Sequence, residues 1–119
     1  MEVNNIVLID LCSRLPYRVK VEHNGEVKSI ARYDTRERFE LTDGTITSYV
    51  NLKPYLRPMS SMTEEEVKEY KKTCEYSEND EFFYPTFKTY DWLNAHHFDY
   101  RGLIEKGLAL EAPEGMYNF

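Results

Sequence analysis

His96, His97 and Asp99 form the only cluster of metal-ligand residue types in the chain. A transition-metal site asks for three or four donors converging on one point. Successive residues on a helix point about 100° apart, so His96 and His97 cannot both reach one ion unless the helix breaks there. One reading is therefore a small metal-dependent or hydrolytic enzyme using His96, His97 and Asp99. The other, which this geometry favours, is structural, with one histidine packed and one exposed. A nucleophile would need Cys or Ser beside a base and an orienting acid. Cys12 falls on an apolar helical face, which predicts an inert, buried thiol, and Cys74 ends a charged helix. Nothing in the spacing brings either one to His96. Glu64-Glu65-Glu66 is accounted for by the positive end of a helix dipole. There is no Gly-rich phosphate loop, so no catalytic residue, metal ligand or cofactor is assigned.

A second group of residues suits recognition better than catalysis. Lys53-Pro54-Tyr55-Leu56-Arg57-Pro58 carries Lys, Tyr and Arg on a stretch stiffened by two prolines, a form suited to docking a groove or binding phosphate. The favoured reading is plainer: Tyr55 and Leu56 plug a sheet while Lys53 and Arg57 stay solvated. The segment around Trp92, the single tryptophan, adds Tyr100 and Arg101 to the histidines. A candidate interaction surface thus combines Lys53, Tyr55 and Arg57 with Trp92, His96, His97, Asp99, Tyr100 and Arg101.

Three zones of the chain must position these residues. Over 4–15, Leu8, Leu11, Cys12 and Leu15 recur at helical spacing, with Asn4 or Asn5 as cap and Pro16 as stop. The run Ile6-Val7-Leu8-Ile9 also allows a buried strand, but the punctuation favours helix. Over 17–50, Tyr17, Val19 and Val21 alternate with polar residues, Asn24-Gly25 suits a type I′ hairpin, and Ile30 interrupts the returning strand at a bulge. Phe39 and Leu41 make a third strand, and Asp43-Gly44 turns the chain into a fourth over 45–50. After a Pro-bounded connector, Thr63 and Glu66 form a capping box, with Met62 and Val67 as a staple, for a helix over 64–74. The acidic stretch 75–81 reads as a mobile loop. Thr89 caps a helix reaching His97. Asp99 caps another, stapled by Phe98 and Leu103 and closed by Gly107 with Leu108 folding back. The segment 112–119 reads as irregular. The fold predicted is one α+β domain over 1–119. A short antiparallel sheet of about four strands, a meander, carries an N-terminal helix and C-terminal helices packed on it. Trp92, Leu93, Leu103, Ile104 and Leu108 are expected to close the core.

At 119 residues the chain can bury a core without staples. Its net charge of −6 disfavours non-specific binding to nucleic acid or an anionic membrane. No apolar stretch approaches the ~20 residues of a membrane span. Met1-Glu2-Val3-Asn4-Asn5 lacks the character of a signal peptide, and two isolated cysteines suit a reducing cytoplasm. Ten Tyr and six Phe also fit a wet interface, but a compact core is the favoured reading.

Leu103-Ile104-Glu105-Lys106-Gly107-Leu108 resembles the helix end that precedes the wing of winged-helix DNA-binding domains. That resemblance implies a nucleic-acid-binding module through the C-terminal helices, although what precedes this string carries almost no basic residues beyond Lys88 and Arg101. A wider resemblance rests on Leu11-Cys12-Ser13-Arg14-Leu15-Pro16-Tyr17 and on Leu52-Lys53-Pro54-Tyr55-Leu56-Arg57-Pro58-Met59-Ser60-Ser61-Met62-Thr63. It continues in Asp91-Trp92-Leu93-Asn94-Ala95-His96-His97-Phe98-Asp99-Tyr100-Arg101-Gly102-Leu103-Ile104. In these strings the chain resembles short proteins encoded in gut Bacteroidales genomes and their prophages. The resemblance implies a bacterial or phage setting and no reaction. The function expected is a cytoplasmic, non-enzymatic interaction or accessory protein with a protein partner.

Overall fold

The computed structural model describes residues 4–117. Helix α1, Asn4–Ser13, opens the fold, and a 3-10 turn, Leu15–Tyr17, carries Pro16. Strands β1 (Lys20–His23), β2 (Glu26–Tyr33), β3 (Arg38–Leu41) and β4 (Ile46–Ser48) follow as an antiparallel meander. Asn24 and Gly25 both have positive φ, 52° and 82°, as a type I′ turn demands. The register of β2 on β3 shifts between Ile30 and Arg32, which is the bulge expected at Ile30.

The sheet has six strands rather than about four, in the order β4-β3-β2-β1-β5-β8. Strand β5, Lys53–Leu56, lies in the expected connector and pairs antiparallel with β1, with Pro54 opposite Val21. Proline suppresses a strand reading because it cannot donate to the ladder, yet a strand position whose N–H is unused tolerates it. Strand β8, Leu110–Glu111, pairs parallel with β5, an association between segments over fifty residues apart that local pattern cannot show.

Helices α2 (Glu64–Thr73) and α3 (Phe87–Ala95) pack on each other. Between them the chain forms a separate two-stranded hairpin, β6 (Glu75–Ser77) and β7 (Phe82–Tyr84), where a mobile loop was expected. The capping box at α2 is complete: Glu66 N–H donates to Thr63 Oγ1 at 3.2 Å, and Thr63 N–H to Glu66 Oε1 at 3.0 Å. At α3 the cap is Thr86 rather than Thr89, and the helix stops at Ala95. Thr89 instead accepts the Thr86 N–H at 2.9 Å and donates to the Thr73 carbonyl at 3.0 Å, tying the end of α2 to the start of α3.

The core joins Val7 and Leu11 of α1 to Val19, Val21, Ile30, Phe39, Leu41 and Leu56 of the sheet. Leu103 and Ala109 close it, with Ile104 and Leu108 packed against it, as expected for three of the five residues named. Trp92 and Leu93 belong elsewhere, between α3 and its neighbours. The buried face of α1 is Val7, Asp10 and Leu11, continued by Arg14, one position out of step with the face expected. A one-residue error rotates a helix by about 100°, so Cys12 is exposed rather than buried. The pattern misled because Asp10 and Arg14 are polar yet fully buried. Arg14 donates from Nε to Asp10 Oδ2 at 2.9 Å and from Nη2 to Oδ1 at 3.0 Å, and Nη2 also reaches the Phe98 carbonyl at 2.7 Å.

Candidate functional site

Arg57 sits just past β5, where the sheet meets α2 and α3. Its N–H donates to the His97 carbonyl, and its carbonyl accepts the Asp99 N–H, each at 2.8 Å. These bonds anchor the end of α3 beside the sheet and aim the guanidinium at α2. Nη1 and Nη2 each donate to a separate oxygen of Glu66 at 2.8 Å. Glu66 therefore caps its own helix and neutralises Arg57 with one carboxylate. Burial works to raise the Glu66 pKa, but the bonds from Arg57 and Thr63 overcome it and hold the group below its ordinary value. The guanidinium also lies over the Phe98 ring at 4.2 Å.

The aromatic stack continues from there. Trp92 is stacked on Phe98, with ring centroids 5.6 Å apart, and on His96 at 4.2 Å, while Tyr70 meets it edge-on. Burial lowers the pKa of His96 against the pull of Glu66 and Glu69, so the imidazole is neutral at pH 7. His97 turns the other way. It closes α3 with φ +63°, giving its own N–H to Asn94 and the Phe98 N–H to Leu93, the bonding of a Schellman cap. Its buried ring stacks on Tyr117 at 3.7 Å. The Tyr117 hydroxyl donates to the Tyr55 carbonyl at 2.9 Å and accepts the Lys20 N–H at 2.8 Å, which pins the C-terminal segment to the sheet. Burial, with Arg14 and Arg57 nearby, pushes the His97 pKa down to about 3.

The nine residues singled out from sequence therefore do not form one surface. Arg57 and His96 line an open groove of about 1090 Å³ between α2 and the segment 111–117. Trp92 supports it from behind. Lys53 is exposed and Tyr55 half-buried on β5. Asp99 accepts the N–H groups of Leu103 and Ile104 at 2.8 and 3.0 Å, but it caps no helix, because 99–107 is a run of turns where a helix was expected. Gly107, at φ +73°, gives its N–H to Ile104, and Leu108 gives its N–H to Leu103, which is the expected stop and fold-back. Arg101 donates to Asp10 at 2.6 Å and to Ser13 at 3.2 Å. Tyr100 bonds Asn94 and packs under Arg101 and Arg14. The winged-helix likeness ends here. The strand after Gly107 is parallel to β5 instead of forming a wing, and Arg101 is spent on Asp10.

Chemically, His97 is committed to packing and Asp99 to the N–H groups of Leu103 and Ile104, so of the three only His96 faces the groove. Among the described residues no group of three His, Cys, Asp or Glu is placed to hold a metal ion. The groove wall carries Glu65, Glu69, Glu111 and Glu114, which makes it acidic.

The surface that sequence reasoning missed is aromatic. Phe82 and Tyr84 on β7 are 54% and 45% exposed, and Phe87 and Tyr90 on α3 are 92% and 45% exposed. Phe82 and Tyr84 share a strand face and Phe87 and Tyr90 a helix face. The signal was present: two aromatic runs, Tyr76 and Phe82-Phe83-Tyr84, flank the turn formers Asn79 and Asp80. No helix of the described residues is long and apolar enough to cross a membrane. No protein-family model matches the chain, and neither a curated protein nor a solved structure matches it.

Proposed function

We propose that this chain is a non-enzymatic interaction protein that docks a protein partner through the aromatic surface of β7 and the first turns of α3. The carrying observation is the exposure of Phe82, Tyr84, Phe87 and Tyr90 within nine residues of one another. Single exposed apolar side chains are ordinary, but four large exposed rings so near in sequence, two of them 4.9 Å apart, cost solubility unless something covers them. Aromatic residues are also the side chains most enriched at the centres of interfaces. The rings are presented on a firm base, because the Thr86 hydroxyl donates to the Thr73 carbonyl at 2.8 Å and closes the neck of the hairpin. In this reading the protein is a cytoplasmic accessory factor, of the bacterial or phage setting that the resemblance implies. The groove around Arg57 then serves mainly to lock β5, α2 and α3 together.

A photo-crosslinking amino acid placed at Phe87, in cells of the organism that encodes the chain, tests the reading. It should give a discrete adduct with one partner, and the same group at Glu26 should not. The adduct should disappear in F82S/Y84S at unchanged melting temperature. The absence of any adduct specific to position 87, or its persistence in that variant, overturns the reading.

A further inference from the structure

We infer that the partner of the β6–β7 hairpin is an extended, Arg- or Lys-rich protein segment; this inference rests on the interaction reading above. The register pairs Glu75 with Tyr84 and Ser77 with Phe82, so these four side chains share one face, while Tyr76 and Phe83 share the other. On the second face Phe83 is half-buried, with Lys71 over its ring at 5.2 Å, and Tyr76 packs on it at 4.8 Å while staying 53% exposed. The first face presents Phe82 and Tyr84, with rings 4.9 Å apart.

The hairpin that carries those rings is acidic. Between Lys72 and Lys88 the chain holds Glu75, Glu78, Asp80 and Glu81 and neither Lys nor Arg. Among the described residues none of the four forms a salt bridge. Asp80 accepts the Tyr84 hydroxyl at 2.7 Å, which brings a negative charge to the rim of the ring pair. A guanidinium or ammonium laid on Phe82 or Tyr84 gains attraction from the ring face and meets a carboxylate at its edge. A neutral apolar partner would strip water from these carboxylates and return nothing. A second copy would bring two acidic hairpins together, and nucleic-acid or lipid phosphates meet the same repulsion. The hairpin is also a sheet of only two strands, open at both outer edges among the described residues. A segment arriving in extended form can therefore add backbone hydrogen bonds as it docks.

The test uses the full chain and three fluorescein-labelled octapeptides that alternate Thr with Arg, Gln or Glu, followed by fluorescence anisotropy. The Arg peptide should bind and the Gln and Glu peptides should not. E78Q/E81Q and F82S/Y84S should each weaken it roughly tenfold, the size expected from losing two modest charge or ring contacts. E26Q/E105Q changes the net charge equally at exposed sites away from the hairpin and should leave affinity within about twofold. Absence of Arg-peptide binding, equal binding of the Gln peptide, or an equal loss in E26Q/E105Q overturns the inference. If any of these occurs while the adduct at Phe87 still forms, the docking surface stands and its basic partner falls.

Discussion

Protonation of His97 should be a main cause of acid destabilisation in this protein. Its ring is buried against Tyr117, and its pKa falls from an ordinary 6.5 to about 3, through burial first and the Arg14 and Arg57 charges second. A lowered folded-state pKa means that the unfolded chain binds the proton more readily. The stabilisation is thus whole above pH 6.5, shrinks as pH falls through that value, and is gone below about 3. A single site of this kind loses about 2 kcal/mol between pH 7.5 and pH 5, with an upper bound of about 5 kcal/mol near pH 3. His97→Asn removes the titration and keeps a side chain that tolerates positive φ. Urea unfolding, followed by the fluorescence of Trp92, should be run on both proteins at pH 7.5 and pH 5. The variant will be weaker at both because the Tyr117 stack is lost, but it should lose about 2 kcal/mol less on acidification. His96, whose pKa burial also lowers, is present in both proteins, so its contribution is common to them. The lowered carboxylates, Glu66 and Asp43, act only below their ordinary values near 4, outside the window. Equal losses in the two proteins would refute the argument.

Asp10→Ala leaves Arg14 buried and Arg101 without its carboxylate, and should cost about 3–5 kcal/mol in urea unfolding; a cost under about 1 kcal/mol would show that water reaches the site. Thr63→Ala should cost about 1 kcal/mol through loss of the α2 cap, and a value near zero would mean that the Arg57–Glu66 pair alone holds the helix end. A fragment ending at Lys88 lacks Leu103, Ala109, β8 and the Arg101–Asp10 bond, and should neither stay soluble nor melt cooperatively in calorimetry. A cooperative melt of 1–88 would make the rest of the chain an appendage.

Local chemistry was readable wherever a few consecutive residues settle the backbone. The Thr63–Glu66 box, the Asn24-Gly25 turn, the Ile30 bulge and the Gly107 stop all sit where their residue types place them. The α+β class follows from these, since the zones switch from period 3.6 to period 2 and back. The candidate site was legible only in its residue types. Arg57 was visible as a charged residue on a stiff segment, but its partner Glu66 was fully explained as a cap, so nothing local pointed to the pair.

What the tertiary structure alone decided is where polar groups meet across the chain. A charged residue is not expected on a buried helix face because burial of an unpaired charge is costly. That rule placed the α1 face one residue out, since Asp10 and Arg14 are buried as a pair and Arg101, ninety-one residues from Asp10, completes it. Strands β5 and β8 were hidden for a related reason. Their stability comes from backbone bonds to distant segments, which leave no period in the residues themselves. The sequence by itself determined turns, caps and helix starts, because those are energies of neighbours. The sixth strand, the exposed thiol, the buried ion network and the presentation of Phe82 and Tyr84 were decided by packing, because those are energies of contacts that exist only once the chain has closed.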